Sequence, residues 1–419
     1  MFRLSSVKIE GFWGRLNASC SFNEDVNIII GRNGTGKTTF MNILHSVLAL
    51  ELESLNENSF DNVTIKIKEG SKTKTIKVVS KFDITKALPT FEYTISRKKY
   101  IIRSFEDRRL PIYMRRKYQE DVEKLKLELD KLVALSSLSV YRLRSGEDFE
   151  IRDKYGSKLI NPVDYRLEQL LQNLTKYQLY LSQRARDVSA ILQKEVLASI
   201  LYSKEDGIDD TFNFSFDKEK ERRNLIAAYS QLGAFDSDVR KKINFHVESI
   251  ANTFEELRLA EKNNRNILNV DYRSFEALRK TQRIIKMSLK SEEKIKNIFL
   301  PINLFLETLH EFITDKKFNF ISGELVIENE HGPISHSNLS SGEKQLLILF
   351  IETLLQQNKP FIYLTDEPEL SLHIAWQRKI IPAIKQLNPN AQIIAATHSP
   401  EVASKYRNAI FDMEKLVHG

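Results

Sequence analysis

The segment Gly31-Arg32-Asn33-Gly34-Thr35-Gly36-Lys37-Thr38 follows directly on the apolar run Val26-Asn27-Ile28-Ile29-Ile30. It leads into residues 39–48, where apolar side chains recur at helical spacing. Buried strand, glycine-rich loop and helix in immediate succession are the context that the pattern G-x-x-x-x-G-K-[ST] requires, and they point to an α/β architecture. The glycines let the backbone wrap a polyphosphate and turn its N–H groups inward. Lys37 is placed to reach the outer phosphates and the Thr38 hydroxyl to ligate Mg²⁺, while the helix start adds a favourable dipole.

Two later runs complete such a site. Residues 361–368 read as a buried strand ending in Asp366, Glu367 and Pro368, and the C-terminal end of a parallel strand is where an α/β sheet keeps its ligand. Asp366 is the expected Mg²⁺ partner. Glu367, one residue on, is positioned to orient and deprotonate an attacking water. Residues 391–400 form a further strand with a polar end, where His398 is a candidate to touch the terminal phosphate or fix that water. Before both lies Leu339-Ser340-Ser341-Gly342-Glu343-Lys344-Gln345, at the start of an apolar helix.

The order of phosphate loop, Leu-Ser-Ser-Gly-Glu, Asp-Glu-Pro and Thr-His-Ser resembles the ATP-binding-cassette (ABC) superfamily, in its soluble branch of SMC, RecF and OLD-type ATPases. The resemblance implies an α/β fold: an ABC-type ATPase head of mixed sheet plus antiparallel β lobe, carrying a large α-helical, coiled-coil-like insertion. It implies that Arg32, Asn33, Gly34, Thr35, Gly36, Lys37, Thr38 and Thr39 cradle ATP and that Thr38 and Asp366 hold Mg²⁺. Glu367 and His398 become the catalytic pair of an Mg-dependent ATPase. Ser340, Ser341, Gly342 and Glu343 become the lid on a second subunit's nucleotide, with Ser340 and Gly342 at its γ-phosphate. Glu369-Leu370-Ser371-Leu372-His373 falls where the family's dimer-contacting D-loop falls, with an OLD-like Leu-His ending. The family's glutamine loop has no clear counterpart. Gln119 and Gln183 are the candidates, and Ser139-Val140-Tyr141-Arg142-Leu143-Arg144 resembles a strand found near that place in defence-associated members.

Along the 419 residues, 1–104 read as the first part of the head, 105–317 as the helical insertion and 318–419 as the second part. Alternation at 62–68 and 73–79 across a turn at 69–72 predicts an antiparallel hairpin with one wet face, and 91–95 a further strand. Phe12 and Trp13 are either adenine stackers or packing residues. Val122, Leu125, Leu129 and Leu132 lie at heptad spacing, as do Leu167, Leu170, Leu174, Tyr177, Leu181 and Val188. That spacing serves a short coiled coil or ordinary amphipathic helices. Residues 205–210 predict an exposed loop.

No apolar run approaches the roughly 20 residues that cross a bilayer. The first residues read as a strand and not as a leader. Cys20 is the sole cysteine, which excludes an intramolecular disulfide and makes a reducing cytoplasm the expected location. The net charge of +7 permits nucleic-acid binding without requiring it; runs at 97–99 and 218–223 are candidate phosphate contacts.

The expected function is an ATP-binding and hydrolysing dimerising switch or scaffold, resembling the stand-alone ATPases of anti-phage systems such as PARIS and Septu. Its expected partners are a second copy of itself and a separate effector such as a nuclease. OLD proteins carry a nuclease domain after the ATPase, and the stretch after His398 is too short for one. A RecF-like DNA-repair ATPase that binds DNA directly is the alternative. A self-contained nuclease built on Arg240 and His246 is the weakest reading.

Overall fold

The computed structural model describes residues 1–81, 90–103, 112–137, 149–153, 156–199, 216–262, 273–369 and 373–419. Two compact units divide the chain. One joins Met1–Thr175 to Leu304–Gly419, and the other is Lys176–Asn303.

The first unit begins with β1 (Arg3–Phe12), which buries Leu4, Val7, Ile9 and Phe12. β2 (Leu16–Ser21) returns antiparallel to it. β3 (Val26–Ile30) is buried over nearly its whole length, as a parallel strand covered on both faces must be. α1 (Lys37–Ala49) follows, then β4 (Asn62–Glu69), β5 (Lys72–Lys81), β6 (Thr90–Ile95) and β7 (Lys98–Arg103). The expected hairpin is present, with Glu69 facing Lys72 across Gly70 and Ser71. Val63, Ile65, Ile67, Ile76 and Val78 are buried, while Lys66 and Lys77 are exposed. Phe40, Ile43, Leu44 and Val47 of α1 share a core with that buried face. So do Leu125, Leu129 and Leu132 of α2 (Ile112–Leu132). The first heptad-spaced stripe is therefore a sheet-packing face and not a coiled-coil seam. Periodicity marks the apolar face of a helix without naming what covers it.

β8 (Leu135–Ser137) comes next. A hairpin of β9 (Phe149–Asp153) and β10 (Gly156–Ile160) interrupts a region whose composition reads as mostly helical. In the stripe on α3 (Pro162–Ala198), Leu167, Leu170, Leu174, Tyr177 and Leu181 are buried.

The second unit contains α4 (Lys218–Gln231) and α5 (Ser237–Lys262), and the greater part of α6 (Arg273–Phe312). Leu225 and Ala228 of α4, Ile243 and Val247 of α5 and Ile285 of α6 form its core. Phe216 stacks on Phe254, which meets Phe275 edge-on at 5.1 Å. Two cations of run 218–223 are engaged locally. Lys218 pairs with Glu248 at 2.8 Å and Arg222 with Glu219 at 2.8 Å. His246 Nε2 lies 3.3 Å from the Thr281 hydroxyl, and burial lowers its pKa. Arg240 is exposed on the same helix, six residues away and so about 120° around it, which does not bring the two together as a catalytic pair. The loop expected at 205–210 lies outside the described residues.

The chain re-enters the first unit through a three-stranded sheet of β11 (Lys317–Ile321), β12 (Glu324–Asn329) and β13 (Gly332–Ile334). α7 (Ser341–Leu355) follows and is buried almost all round. Two ion pairs join it to the start of α3. Lys344 meets Asp164 at 2.7 Å, and Arg166 reaches buried Glu352 through Nε at 3.0 Å and Nη2 at 2.6 Å. β14 (Phe361–Asp366), the short helix α8 (Ile374–Gln377), β15 (Ala391–Ala396), β16 (Ile410–Asp412) and β17 (Val417–His418) complete the chain.

A five-stranded sheet runs β16-β3-β15-β14-β8, and every neighbouring pair is parallel. A seven-stranded antiparallel sheet runs β17-β2-β1-β4-β5-β6-β7. Gln392 sews the two together. Its amide nitrogen donates to the Leu4 and Asn23 carbonyls, and its oxygen accepts from Leu4 N–H at 2.7 Å. Those Leu4 groups are turned toward it where the β1–β4 register shifts, as a bulge redirects ladder groups. The parallel arrangement carries the ends of β3, β14 and β15 to one edge of the sheet.

Candidate functional site

The phosphate loop leaves β3 at that edge. Gly34 (φ +80°) and Gly36 (φ +95°) occupy the left-handed region that a Cβ disfavours. A Cβ on Gly36 would lie 2.8 Å from the Phe12 ring and 3.0 Å from Trp13, whereas the space beside Gly34 is open. Gly36 thus lets the loop close on the end of β1, and Gly34 leaves its outer side clear. Gly36 is also the N-cap of α1, with no side-chain cap and no acidic residue in the first turn. The first N–H groups and the positive end of the helix dipole are left for an anion from outside the chain.

Lys37 is 4% exposed. Its Nζ donates to the carbonyls of Gly31 at 2.9 Å and Arg32 at 3.1 Å. Burial lowers its pKa, and the charges of Asp366, Glu367 and Glu369 oppose that shift, so one ammonium and three carboxylates share a neighbourhood. Thr35 Oγ1 donates to the Arg32 carbonyl, and Thr39 Oγ1 accepts from Trp13 Nε1 at 3.3 Å. Arg32 is exposed and reaches Glu414 at 3.6 Å; Asn33 and Thr38 are exposed at the mouth of the loop.

Asp366 ends β14 opposite Ala396 of β15. Glu367 follows with φ +49°, a left-handed conformation that costs a residue bearing a Cβ about 1 kcal/mol. Its N–H donates to the Ala396 carbonyl at 2.7 Å, and its carboxylate lies 3.7 Å from His398 Nε2. The two side chains expected to be catalytic therefore meet across neighbouring strands, and the strained turn is what directs Glu367 there.

Ser340 and Ser341 are exposed, while Gly342 and Glu343 are buried. Ser340 caps α7 in a reciprocal box with Glu343. Lys316 Nζ also binds Glu343, at 2.7 Å. Burial works against the charged form of Glu343, but Lys316 and Ser340 hold its pKa below the usual carboxylate range. The motif's glutamate is thus committed to building its own helix end.

Phe12 is fully buried beneath Gly36, which removes it as an adenine stacker. Trp13 is 38% exposed beside the loop and keeps that option. Gln119 is exposed on α2. Gln183 belongs to the second unit and bonds Asp187 on its own helix. The stretch 139–144 and residues 370–372 lie outside the described residues. Sequence reading missed three supporting groups: Lys316, Gln377 and the clamp made by Glu369. Of these, only Glu369 is singled out by the sequence, as the first residue of the stretch that resembles the D-loop and not as a clamp on residues 397–399.

The donor set fits Mg²⁺. One exposed hydroxyl (Thr38) and one carboxylate (Asp366) suit an ion that prefers phosphate and water for its remaining ligands. Among the described residues no group of three His, Cys, Asp or Glu forms an all-protein cage. Nor is any described helix long and apolar enough to cross a membrane. Cys20 is buried, its pKa pushed up to about 12 by burial, and so is unreactive.

A parallel sheet with phosphate loop, carboxylate pair and histidine at one edge defines a nucleotide-binding ATPase fold. The chain belongs to the AAA ATPase domain family, whose model matches residues 2–403. It is 23% identical to "Retron Ec83 probable ATPase" of Escherichia coli, over 96% of this chain and 69% of that protein. It is 24% identical to "Retron Vc95 probable ATPase" of Vibrio cholerae serotype O1 biovar El Tor, over 91% and 67%. "Septu protein PtuA" of Bacillus thuringiensis is 34% identical over 92 residues, which are 19% of this chain and 23% of that protein. A Smc head domain with an extended coiled coil from Pyrococcus furiosus, solved bound to the C-terminal domain of ScpA, aligns over 98% of this chain and 93% of its own at 14% identity and a TM-score of 0.47. The Septu-type likeness read from the motifs thus meets a relative of that name.

Proposed function

We propose that this chain is an ATP-hydrolysing switch in which two copies close around ATP, serving a prokaryotic anti-phage defence system by controlling a separate effector such as a nuclease. The observation that carries it is the division of the machinery. Lys37, Asp366, Glu367 and His398 gather at one sheet edge. Ser340 and Ser341 stand exposed at the start of α7, a surface open to a phosphate supplied by another copy. Relatives named as retron and Septu proteins support the defence setting.

In this reading the loop 32–39 and the first turn of α1 bind the triphosphate. Thr38 and Asp366 hold Mg²⁺, which when bound supplies charge neutralisation at the phosphates. Glu367 accepts a proton from the attacking water, and His398 orients that water. Contacts made by Ser340 and Gly342 only in the closed pair shift the population toward closure, and hydrolysis releases it.

Mixing variants tests the shared site. Ser340→Asp keeps a good N-cap but sets a carboxylate against an incoming phosphate. Lys37→Ala and Ser340→Asp should each be inactive alone. Mixed, they should recover roughly a quarter of wild-type turnover, because half the pairs are mixed and each holds one intact site. No recovery on mixing and exchange of subunits would place both motifs on one nucleotide of one chain.

One observation favours the DNA-binding alternative. Across the open face of the antiparallel sheet, the register Lys8–Thr64–Lys77–Thr94–Lys99 alternates lysine and threonine. Glu10 pairs with Lys8 at 2.6 Å and Glu92 with Lys99 at 3.0 Å, which weakens the positive field of that face. If this face binds a duplex, affinity falls steeply with salt, and Lys66→Ala with Lys77→Ala lowers the slope of log K against log[salt] by about 2. An unchanged slope removes the reading.

A further inference from the structure

The short stretch after the carboxylate strand grips the histidine turn at three points. Glu369 is 8% exposed. Its Oε1 accepts from the Thr397 hydroxyl, from His398 N–H at 3.0 Å and from Ser399 N–H at 3.1 Å. Its Oε2 is buried with no hydrogen-bond partner among the described residues. Gln377 Oε1 accepts from the Ser399 hydroxyl at 2.8 Å, and the Arg378 guanidinium engages both oxygens of Glu401.

We infer that Glu369 is a positioning residue for hydrolysis, acting through His398. The inference rests on the reading of Glu367 and His398 as the hydrolytic pair. β15 ends at Ala396, so the sheet ladder does not hold His398. The Glu369 Oε1, receiving a hydroxyl and two successive N–H groups, does so instead. These bonds fix the Cα from which the imidazole reaches Glu367. Displacing that backbone by the length of one methylene changes the approach of ring to carboxylate without touching the phosphate loop.

Glu369→Asp and Glu369→Gln test this in the full-length protein, with turnover and nucleotide affinity measured separately. Asp keeps the charge and shortens the arm; turnover should fall about 30-fold while affinity for a non-hydrolysable ATP analogue stays within about 3-fold. Gln keeps the length and an acceptor oxygen and should retain at least about a third of wild-type turnover. In the His398→Ala background, Glu369→Asp should cost less than about 2-fold, since its effect passes through the missing ring. Full turnover in Glu369→Asp, equal losses in binding and turnover, or an undiminished 30-fold loss beside His398→Ala would each overturn the assignment. Should His398→Ala itself run at the wild-type rate, the hydrolytic pair is wrong, and that result is separable from failure of Glu369 alone.

Discussion

Replacement of Lys37 by alanine is expected to abolish nucleotide binding, weakening it at least about 100-fold in titrations with a fluorescent ATP analogue. Lys37 is the buried cation of the loop, and its neighbours are the charges of Asp366, Glu367 and Glu369. A phosphate approaching without the ammonium meets those carboxylates unscreened, in a partly desolvated setting where charges act more strongly than in water. Point-charge recognition of phosphate by lysine is lost together with that screening. The fold should survive, because among the described residues the side chain bonds only the Gly31 and Arg32 carbonyls of its own loop. Wild-type ATPase activity in Lys37→Ala would defeat the assignment of the site.

Glu367→Gln should separate binding from turnover. The amide keeps the shape and the hydrogen bond from the main chain at Glu367 but cannot accept the proton of the attacking water. Loss of a positioned base lowers turnover by about 10²–10⁴-fold, with ATP affinity nearly unchanged. In the shared-site reading, ATP-bound assemblies then accumulate, and light scattering should record a larger species with ATP than without it. A variant that still turns over ATP, or that never changes size with nucleotide, counts against the proposed switch. A permanent higher oligomer is the one exception for size, and the mixing of Lys37→Ala with Ser340→Asp covers it.

Much of the head was legible because its signals are local. The run 26–38 states strand, turn and helix within a dozen residues, and the glycines needed at positive φ stand where the loop needs them. The hairpin of β4 and β5 followed from alternation, since one face must meet α1 and the other water. The run 339–345 was legible as the start of an apolar helix, but the reciprocal cap of Ser340 and Glu343 was not. The heptad-spaced Leu125, Leu129 and Leu132 show the limit of such signals. They mark an apolar face correctly, but it joins a core shared with the antiparallel sheet and α1 and not a coiled-coil seam. The β9–β10 hairpin within a helix-rich stretch shows the same limit for composition.

What the sequence determined by itself is the chemistry: a phosphate loop, a carboxylate pair and a histidine, each at the end of an apolar run that has to be a buried strand. What only the tertiary structure decided is their convergence. Parallel pairing of β3, β15 and β14 brings three distant strand ends to one edge, and a left-handed turn at Glu367 points its carboxylate at His398. The clamp of Glu369 on residues 397–399, the burial of Phe12 under Gly36 and the bond from Lys316 to Glu343 are of the same kind. Each joins residues far apart in the chain or sets a direction that spacing cannot express. Local periodicity fixes which face of a segment is apolar, whereas packing and hydrogen-bond satisfaction fix what that face meets.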